Sequence, residues 1–380
     1  MLTAAPSEVR PFRIGIPEAD LADLRDRVAR TRWPDEPEGL GWSRGVPVNY
    51  LKALAEYWAT SFDWRRAEER LNEHPHVTTV VDGQTVHCMH ARSPDPSALP
   101  LALLHGWPGS FAELLPVVRP LRDAFHVVVP SIPGFGFSTP LVGTGWSATR
   151  IARVVAELMH RLGYTRYGVH GTDLGAGVAG ALSAVDPDGV AGVHVASDPQ
   201  TAVAFSMFTG DPASANGLTD AERRRVEAMK QAAVDDQGYL RIQTTRPQTL
   251  AYALTDSPVG QLAWIVEKFQ AWTDGVAVLP EEAVDKDLLL TNVTLYWLTR
   301  SAGSSAHVLY DGMHTQDWVE PAGAPTGWAV FGSDPVARKL LDTERRVEHW
   351  TEFDRGGHFP GMEAPDLLAG DLRSFFRALR

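Results

Sequence analysis

With one cysteine, Cys88, in 380 residues, the chain has no partner for an internal disulfide, and its fold must rest on burial and hydrogen bonding. A lone thiol fits a reducing compartment, so a cytoplasmic protein is expected, and Cys88 itself reads as a small buried hydrophobe in a strand. Basic charge is also scarce. Thirty-five Lys and Arg against 47 Asp and Glu leave a net charge of -12, with no basic face able to neutralise a phosphate backbone, which excludes nucleic acid as a partner. No run approaches the ~18 consecutive apolar residues that a membrane span requires. Residues 1–13 mix polar, charged and proline residues without the apolar centre of a signal peptide, so neither membrane insertion nor secretion is expected. Internal repeats, low-complexity tracts and charge blocks are missing too. His74-Pro75-His76 has no matching ligands at metal-site spacing and reads as loop. No metal and no organic cofactor is expected. A homodimer is compatible with the chain, which says nothing further about assembly.

What is present is a globular composition, 44% hydrophobic and 22% charged, long enough for one large core with sizeable attachments. Apolar positions Leu21, Leu24 and Val28 recur at helical spacing between Glu18 and Trp33, Pro34 stops that helix, and a second runs through Tyr50 to Trp58. From His76 the pattern turns to strands: residues 76–81 and 86–90 flank an Asp82-Gly83 hairpin signal. Leu101–Leu104 and His126–Val129 are short apolar runs of the kind buried on both faces of a parallel sheet. Helix Ala148–Leu162, strand Tyr167–His170, helix Leu174–Val185 and strand Val190–Val195 continue an alternating series, which predicts an α/β fold with a mostly parallel sheet covered on both faces. Residues 199–314 turn helical, with Leu262, Ile265, Phe269 and Trp272 in one stripe and another apolar helix at Leu288–Thr299. Strands resume at 327–331 and 347–353 before a closing amphipathic helix from Ala364 to Leu379. The organisation read from this is a helical N-terminal region (1–75), a core in two parts (76–198 and 315–380) and a helical lid (199–314). A lid over the C-terminal strand ends would shield a reaction from water.

The chemistry concentrates in three places. Strand Tyr167–His170 runs into Gly171-Thr172-Asp173-Leu174-Gly175 and then an Ala/Gly-rich helix. A strained strand-to-helix turn that exposes a nucleophile needs very small residues two before and two after it, and Gly171 and Gly175 supply them. An N-capping Asp at an ordinary helix start reads equally well from this segment alone. After strand Leu101–Leu104 comes His105-Gly106-Trp107-Pro108-Gly109-Ser110, where a hydrolase of this topology contributes one oxyanion-hole N–H; the candidates are the backbone N–H groups of Trp107 and Leu174. Arg355-Gly356-Gly357-His358-Phe359-Pro360 follows the last strand, which singles out His358 among 13 histidines as a general base. Asp334 is the preferred acid to orient it, and Asp198 the runner-up. A carboxylate nucleophile makes an ester with a saturated carbon that water can cleave, so an Asp in this turn points to displacement at an sp3 carbon, by opening an epoxide or expelling a halide.

Taken together these segments resemble the microsomal-type epoxide hydrolase family, an α/β-hydrolase group. Pro11-Phe12-Arg13-Ile14 and Arg30-Thr31-Arg32-Trp33-Pro34 are similar to its N-terminal region, and His105-Gly106-Trp107-Pro108, Asp173 and Gly356-Gly357-His358-Phe359 to its catalytic motifs. The lid segments 238–243, 256–260 and 290–297 are similar as well. The resemblance extends to bacterial epoxide hydrolases of enediyne antibiotic biosynthesis. It implies Tyr239 and Tyr310 as the pair that activates the epoxide oxygen, with Tyr296 a packed helix residue. An apolar, aromatic-lined lid suggests a small hydrophobic epoxide, aryl or bulky, as substrate. Two departures stand out: Asp334 falls where relatives often carry Glu, and Leu174 where many carry Trp, which weakens a halide-holding dehalogenase reading. A membrane anchor of the microsomal kind is not expected. A haloalkane dehalogenase and a non-catalytic binder of hydrophobic ligands on the same fold remain the rival readings.

Overall fold

The computed structural model describes residues 8–209 and 211–379, so part of the N-terminal stretch considered for a signal peptide, residues 1–7, lies outside the described residues. Nine strands form one sheet: β1 (Arg10–Phe12), β2 (His76–Val81), β3 (Gln84–Ala91), β4 (Leu99–Leu104), β5 (Phe125–Pro130), β6 (Tyr167–Thr172), β7 (Val190–Ser197), β8 (Thr326–Phe331) and β9 (His349–Phe353). Their order is β1-β2-β3-β5-β4-β6-β7-β8-β9. Pairing is antiparallel from β1 to β5 and parallel from β5 through β9, which makes this the α/β-hydrolase architecture. The Asp82-Gly83 turn joins β2 to β3 with both residues at positive φ, 52° and 74°, as a two-residue hairpin of right-handed twist demands.

The central strands β4, β5 and β6 are buried at every position, because helices cover both faces. Helices Ala148–Arg161 and Leu174–Val185 pack together, and the C-terminal helix Pro365–Arg377 lies against helix Leu115–Arg122. Cys88 is fully buried in β3, and burial pushes its thiol up to about 12, so it behaves as the small hydrophobe expected. The N-terminal segment differs from an all-helical one. A three-residue edge strand, β1, pairs with β2, and Pro11 sits there because an edge strand tolerates a residue without an N–H. Helix Trp64–Leu71 carries no apolar stripe in its sequence: it is strongly polar, and only Trp64 and Leu71 are buried.

Chain order places the crevice. From β4 the sheet grows one way to β5 and the other way to β6, so the loops leaving β4 and β6 diverge and open a cleft at their C-terminal ends. Helices between Pro199 and His314 cover this end of the sheet. The N-terminal helices hold that cover down. Tyr57 donates to Asp287 (2.8 Å), Trp58 Nε1 to Thr294 (2.8 Å), Tyr50 to Glu281 (2.7 Å), and Arg27 pairs with Asp256 (2.9 Å).

Candidate active site

Asp173, directly after β6, has a conformation that a non-glycine residue rarely adopts, φ 50° and ψ -125°. The turn is possible only because its neighbours lack side chains. A Cβ on Gly171 would lie 2.1 Å from the Gly175 carbonyl oxygen, and one on Gly175 2.3 Å from the Leu104 carbonyl oxygen. The helix-cap reading fails, since the Asp173 side chain makes no capping hydrogen bond. Its carboxylate turns toward the cleft instead. Oδ1 accepts from the Trp107 N–H at 2.9 Å, and the Leu174 N–H also donates to the carboxylate. Oδ2 is left toward His358, whose Nε2 stands 3.6 Å away with no hydrogen-bond partner.

His358 is held from several sides. Its N–H donates to the Trp272 carbonyl oxygen (2.9 Å), and the Trp272 ring lies against the imidazole, 4.9 Å between centroids. This close approach explains the preceding glycine, because a Cβ on Gly357 would come within 2.6 Å of the Trp272 oxygen. His358 Nδ1 donates to Asp198 Oδ2 at 3.1 Å. Asp198 follows β7 and is itself fixed by Thr201, whose N–H donates to Oδ1 (2.9 Å) and whose hydroxyl donates to Oδ2 (2.5 Å).

The partner of His358 is therefore Asp198, and the preference for Asp334 is corrected. Asp334 is buried beyond the turn after β8, but its carboxylate faces Arg225 of the lid at 2.6 Å and accepts from the Val336 N–H at 3.0 Å. Its backbone carbonyl oxygen accepts from the Ala337 N–H at 3.0 Å, and its side chain is tied to Arg225 and Val336, not to the imidazole.

Charge in this trio is tightly balanced. Burial disfavours the His358 imidazolium, yet the nearby Asp173 carboxylate and the hydrogen-bonded Asp198 carboxylate outweigh that and hold its pKa at about 10. For both carboxylates burial acts upward, and His358 together with the local N–H and hydroxyl donors carries them below the ordinary value. A third carboxyl lies behind the nucleophile. Glu113 is buried and accepts from the Thr172 hydroxyl at 3.3 Å; burial, reinforced by the Asp173 charge, pushes it up to about 8, so at neutral pH it is largely protonated.

Two family models match: the epoxide hydrolase N terminus over residues 9–114 and the alpha/beta hydrolase fold over residues 100–248. A Stigmatella aurantiaca protein assigned as an epoxide hydrolase is 42% identical over 98% of this chain and 86% of its own length. The chain belongs to the epoxide hydrolase family. Epoxide hydrolase 1 of Sus scrofa shares 32% identity over 99% of the chain and 90% of its own length. Among solved structures, Aspergillus niger epoxide hydrolase superposes with a TM-score of 0.82 at 31% identity, covering 98% of this chain and 97% of that one. Juvenile hormone epoxide hydrolase of Bombyx mori does so at 0.82 and 28%, covering 98% and 94%. The protein is thus a hydrolase that acts on epoxides. No helix among the described residues is long and apolar enough to cross a membrane.

In this epoxide hydrolase the triad opens into a cavity of about 430 Å³ beneath the lid, walled largely by aromatic and aliphatic side chains such as Trp107, Leu174, Trp272 and Leu309. Tyr239 lines it, its ring stacked on Trp107 at 4.8 Å and edge-on to Trp272 at 5.1 Å. Burial, with the Asp173 charge nearby, pushes its phenol well above the ordinary value, so it stays a proton donor.

Tyr310 does not join it. The adjacent Leu309 faces the cavity, and one residue along an α-helix is a turn of about 100°. Tyr310 is carried away from the wall and stacks on His314 at 4.0 Å. Of the expected Tyr239–Tyr310 pair, only Tyr239 is among the described residues that line the cavity in this structure. Tyr296 is a packed residue, as expected: it is buried, and its hydroxyl donates to the Gly109 carbonyl oxygen at 2.8 Å, while Asn292 Nδ2 donates to Pro108 at 2.8 Å. Lid helix Lys286–Thr299 thereby braces the loop that carries Trp107.

Several contributors leave no local trace in the sequence. Lys268, almost fully buried, pairs with Asp236 (2.7 Å) and Glu267 (3.0 Å), and its ammonium lies 4.5 Å from the Tyr239 ring centroid. Asp236 Oδ2 also accepts from Trp272 Nε1 at 2.7 Å. These residues come from two helices some thirty positions apart, so only their packing joins them. Trp272 is visible as the last member of a helical stripe, a pattern that signals core and cannot separate packing from a role beside the base.

Proposed function

We propose that the enzyme converts a hydrophobic epoxide, aryl or bulky, to a vicinal diol through a covalent ester on Asp173. The observation that carries this reading is a carboxylate in a strained turn, with two backbone N–H groups donating to it, that of Trp107 to Oδ1, and Oδ2 turned toward an unpartnered His358 Nε2. Oδ2 attacks one epoxide carbon while the Tyr239 hydroxyl protonates the departing ring oxygen, giving a hydroxyalkyl ester.

Esterification removes the negative charge of Asp173, one of the two charges that keep His358 protonated. The imidazolium then yields its proton, which restores Tyr239 through solvent, and the neutral imidazole becomes a base only after the ester exists. His358, oriented by Asp198, takes a proton from water as the water oxygen attacks the Asp173 carbonyl carbon. The Trp107 and Leu174 N–H groups, already donating to the carboxylate, stabilise the oxyanion. Collapse expels the diol oxygen, which takes a proton from the tetrahedral centre, and carboxylate and imidazolium are regenerated. No proton or oxygen is left over.

The apolar, aromatic walls favour a bulky hydrophobic or aryl epoxide, and an epoxide of enediyne natural-product biosynthesis is one candidate, supported by resemblance alone. The test is a single turnover in oxygen-18 water. Label is expected in the Asp173 carboxylate and not in the first diol released. Label in that first diol would reject the ester, and halide release from chloroalkanes by a D173-dependent route without epoxide opening would favour dehalogenation.

A further inference from the structure

Large hydrophobic side chains exposed to solvent are scattered over this protein, but three of them gather at one place: Phe205 (53% exposed), Met313 (51%) and Trp318 (66%) all line the mouth of the catalytic cavity. They come from helix Pro199–Thr209, from the end of helix Ser301–His314 and from the loop after it. An exposed apolar cluster continuous with a buried apolar wall is a surface still to be covered when the site is filled. The charges around it have one sign. Among the described residues none of the cavity's lining side chains is Lys or Arg, whereas Asp173, Asp198, Asp236 and Asp317 all border it. Three of those are matched: Asp173 and Asp198 by His358, and Asp236 by Lys268. Asp317, exposed at the mouth, accepts from the Ser147 hydroxyl at 2.7 Å and meets no cation among the described residues.

We infer that the rim formed by Phe205, Met313 and Trp318 is a distal subsite for an extended arm of the epoxide substrate, and that this arm is aromatic or aliphatic and either uncharged or cationic. The inference rests on the epoxide hydrolase reading for which end of the substrate lies at Asp173. Its occupant is the substrate itself, because the rim residues line the same cavity as Leu309, Leu174, Trp107 and the nucleophile Asp173. An anionic arm is disfavoured twice: no guanidinium or ammonium receives it, and Asp317 repels it across a mouth where screening is incomplete.

The test compares phenyl glycidyl ether with its 4-(4-biphenylylmethoxy)phenyl analogue, the latter also bearing a terminal trimethylammonium or carboxylate group. The full chain and its F205S/W318S variant are used, with Y252S as control for loss of an exposed aromatic outside the cavity (Tyr252 is 71% exposed). In the rim variant KM for the long substrate is expected to rise about tenfold more than for the short one, the weight of one well-buried side chain. The ammonium arm is expected to be preferred over the carboxylate at low salt, with the preference shrinking as salt rises. Binding of the corresponding diols, measured calorimetrically, gives the same comparison without turnover. If the long diol binds in a rim-dependent way but no epoxide is opened, the functional reading fails and the subsite stands. Equal effects on long and short compounds, an equal effect of Y252S, preference for the carboxylate arm, or a change in sedimentation of the rim variant that marks the patch as a contact between copies would each overturn the subsite.

Discussion

Replacing Asp173 by Asn removes one negative charge while keeping the shape of the side chain and an acceptor for the Trp107 N–H. The consequence falls on His358. Asp173 Oδ2 lies 3.6 Å from Nε2. At an effective dielectric of about 20, a pair of unit charges at that separation is worth about 4.6 kcal/mol, a drop of about three in pKa when the carboxylate is lost. From its present value of about 10, His358 would descend toward neutrality, where an imidazole acts as a base. The ester intermediate makes the same change of charge, so D173N is a static copy of the state in which hydrolysis must occur. The assay is an NMR titration of ring-labelled histidine, with His358 assigned by its absence in H358Q and with mass spectrometry verifying that the amide persists. A fall of less than about one would refute the coupling, because Asp198 alone would then account for the raised value and esterification could not release the base.

Other outcomes follow from the same geometry. D198N removes the carboxylate on Nδ1 and is expected to slow ester hydrolysis by two or more orders of magnitude, roughly, so that the Asp173 adduct accumulates in intact-mass spectra. D334N instead leaves a buried carboxylate site with an uncharged amide opposite the mostly exposed Arg225 and costs about 1–3 kcal/mol in denaturant unfolding, with near-normal activity per folded molecule. Y239F is expected to lower the rate of ester formation by about 100-fold or more, whereas Y310F changes it less than about twofold, read from single-turnover kinetics. The histidine also makes stability depend on pH. Its folded pKa is raised, so its contribution is complete below its unfolded value and is lost as pH rises through about 10, at most about 5 kcal/mol between the two. Urea unfolding at intervals across that window should show a decline that H358Q lacks.

Features that one short segment states by itself are legible in the amino-acid sequence. The demand for space around Asp173 is local, so two glycines two residues either side announce it; the same holds for His358 and its glycine beside the Trp272 carbonyl. The alternation of apolar runs and amphipathic helices likewise determines a parallel sheet, because both faces of such strands are buried and their side chains must be uniformly apolar. Direction is another matter. Asp198 and Asp334 both stand just beyond the ends of neighbouring parallel strands, and nothing in their flanks distinguishes them. Thr201 ties one toward His358, and Arg225, reaching in from a lid helix, draws the other away. Leu309 and Tyr310 differ by one helical step, and only the packing of helix Ser301–His314 against the cleft decides which of the two faces the substrate. Residue type and spacing set out the available chemistry along the chain; which carboxylate and which phenol take part is decided by contacts between segments more than a hundred residues apart, a scale on which local pattern carries no information.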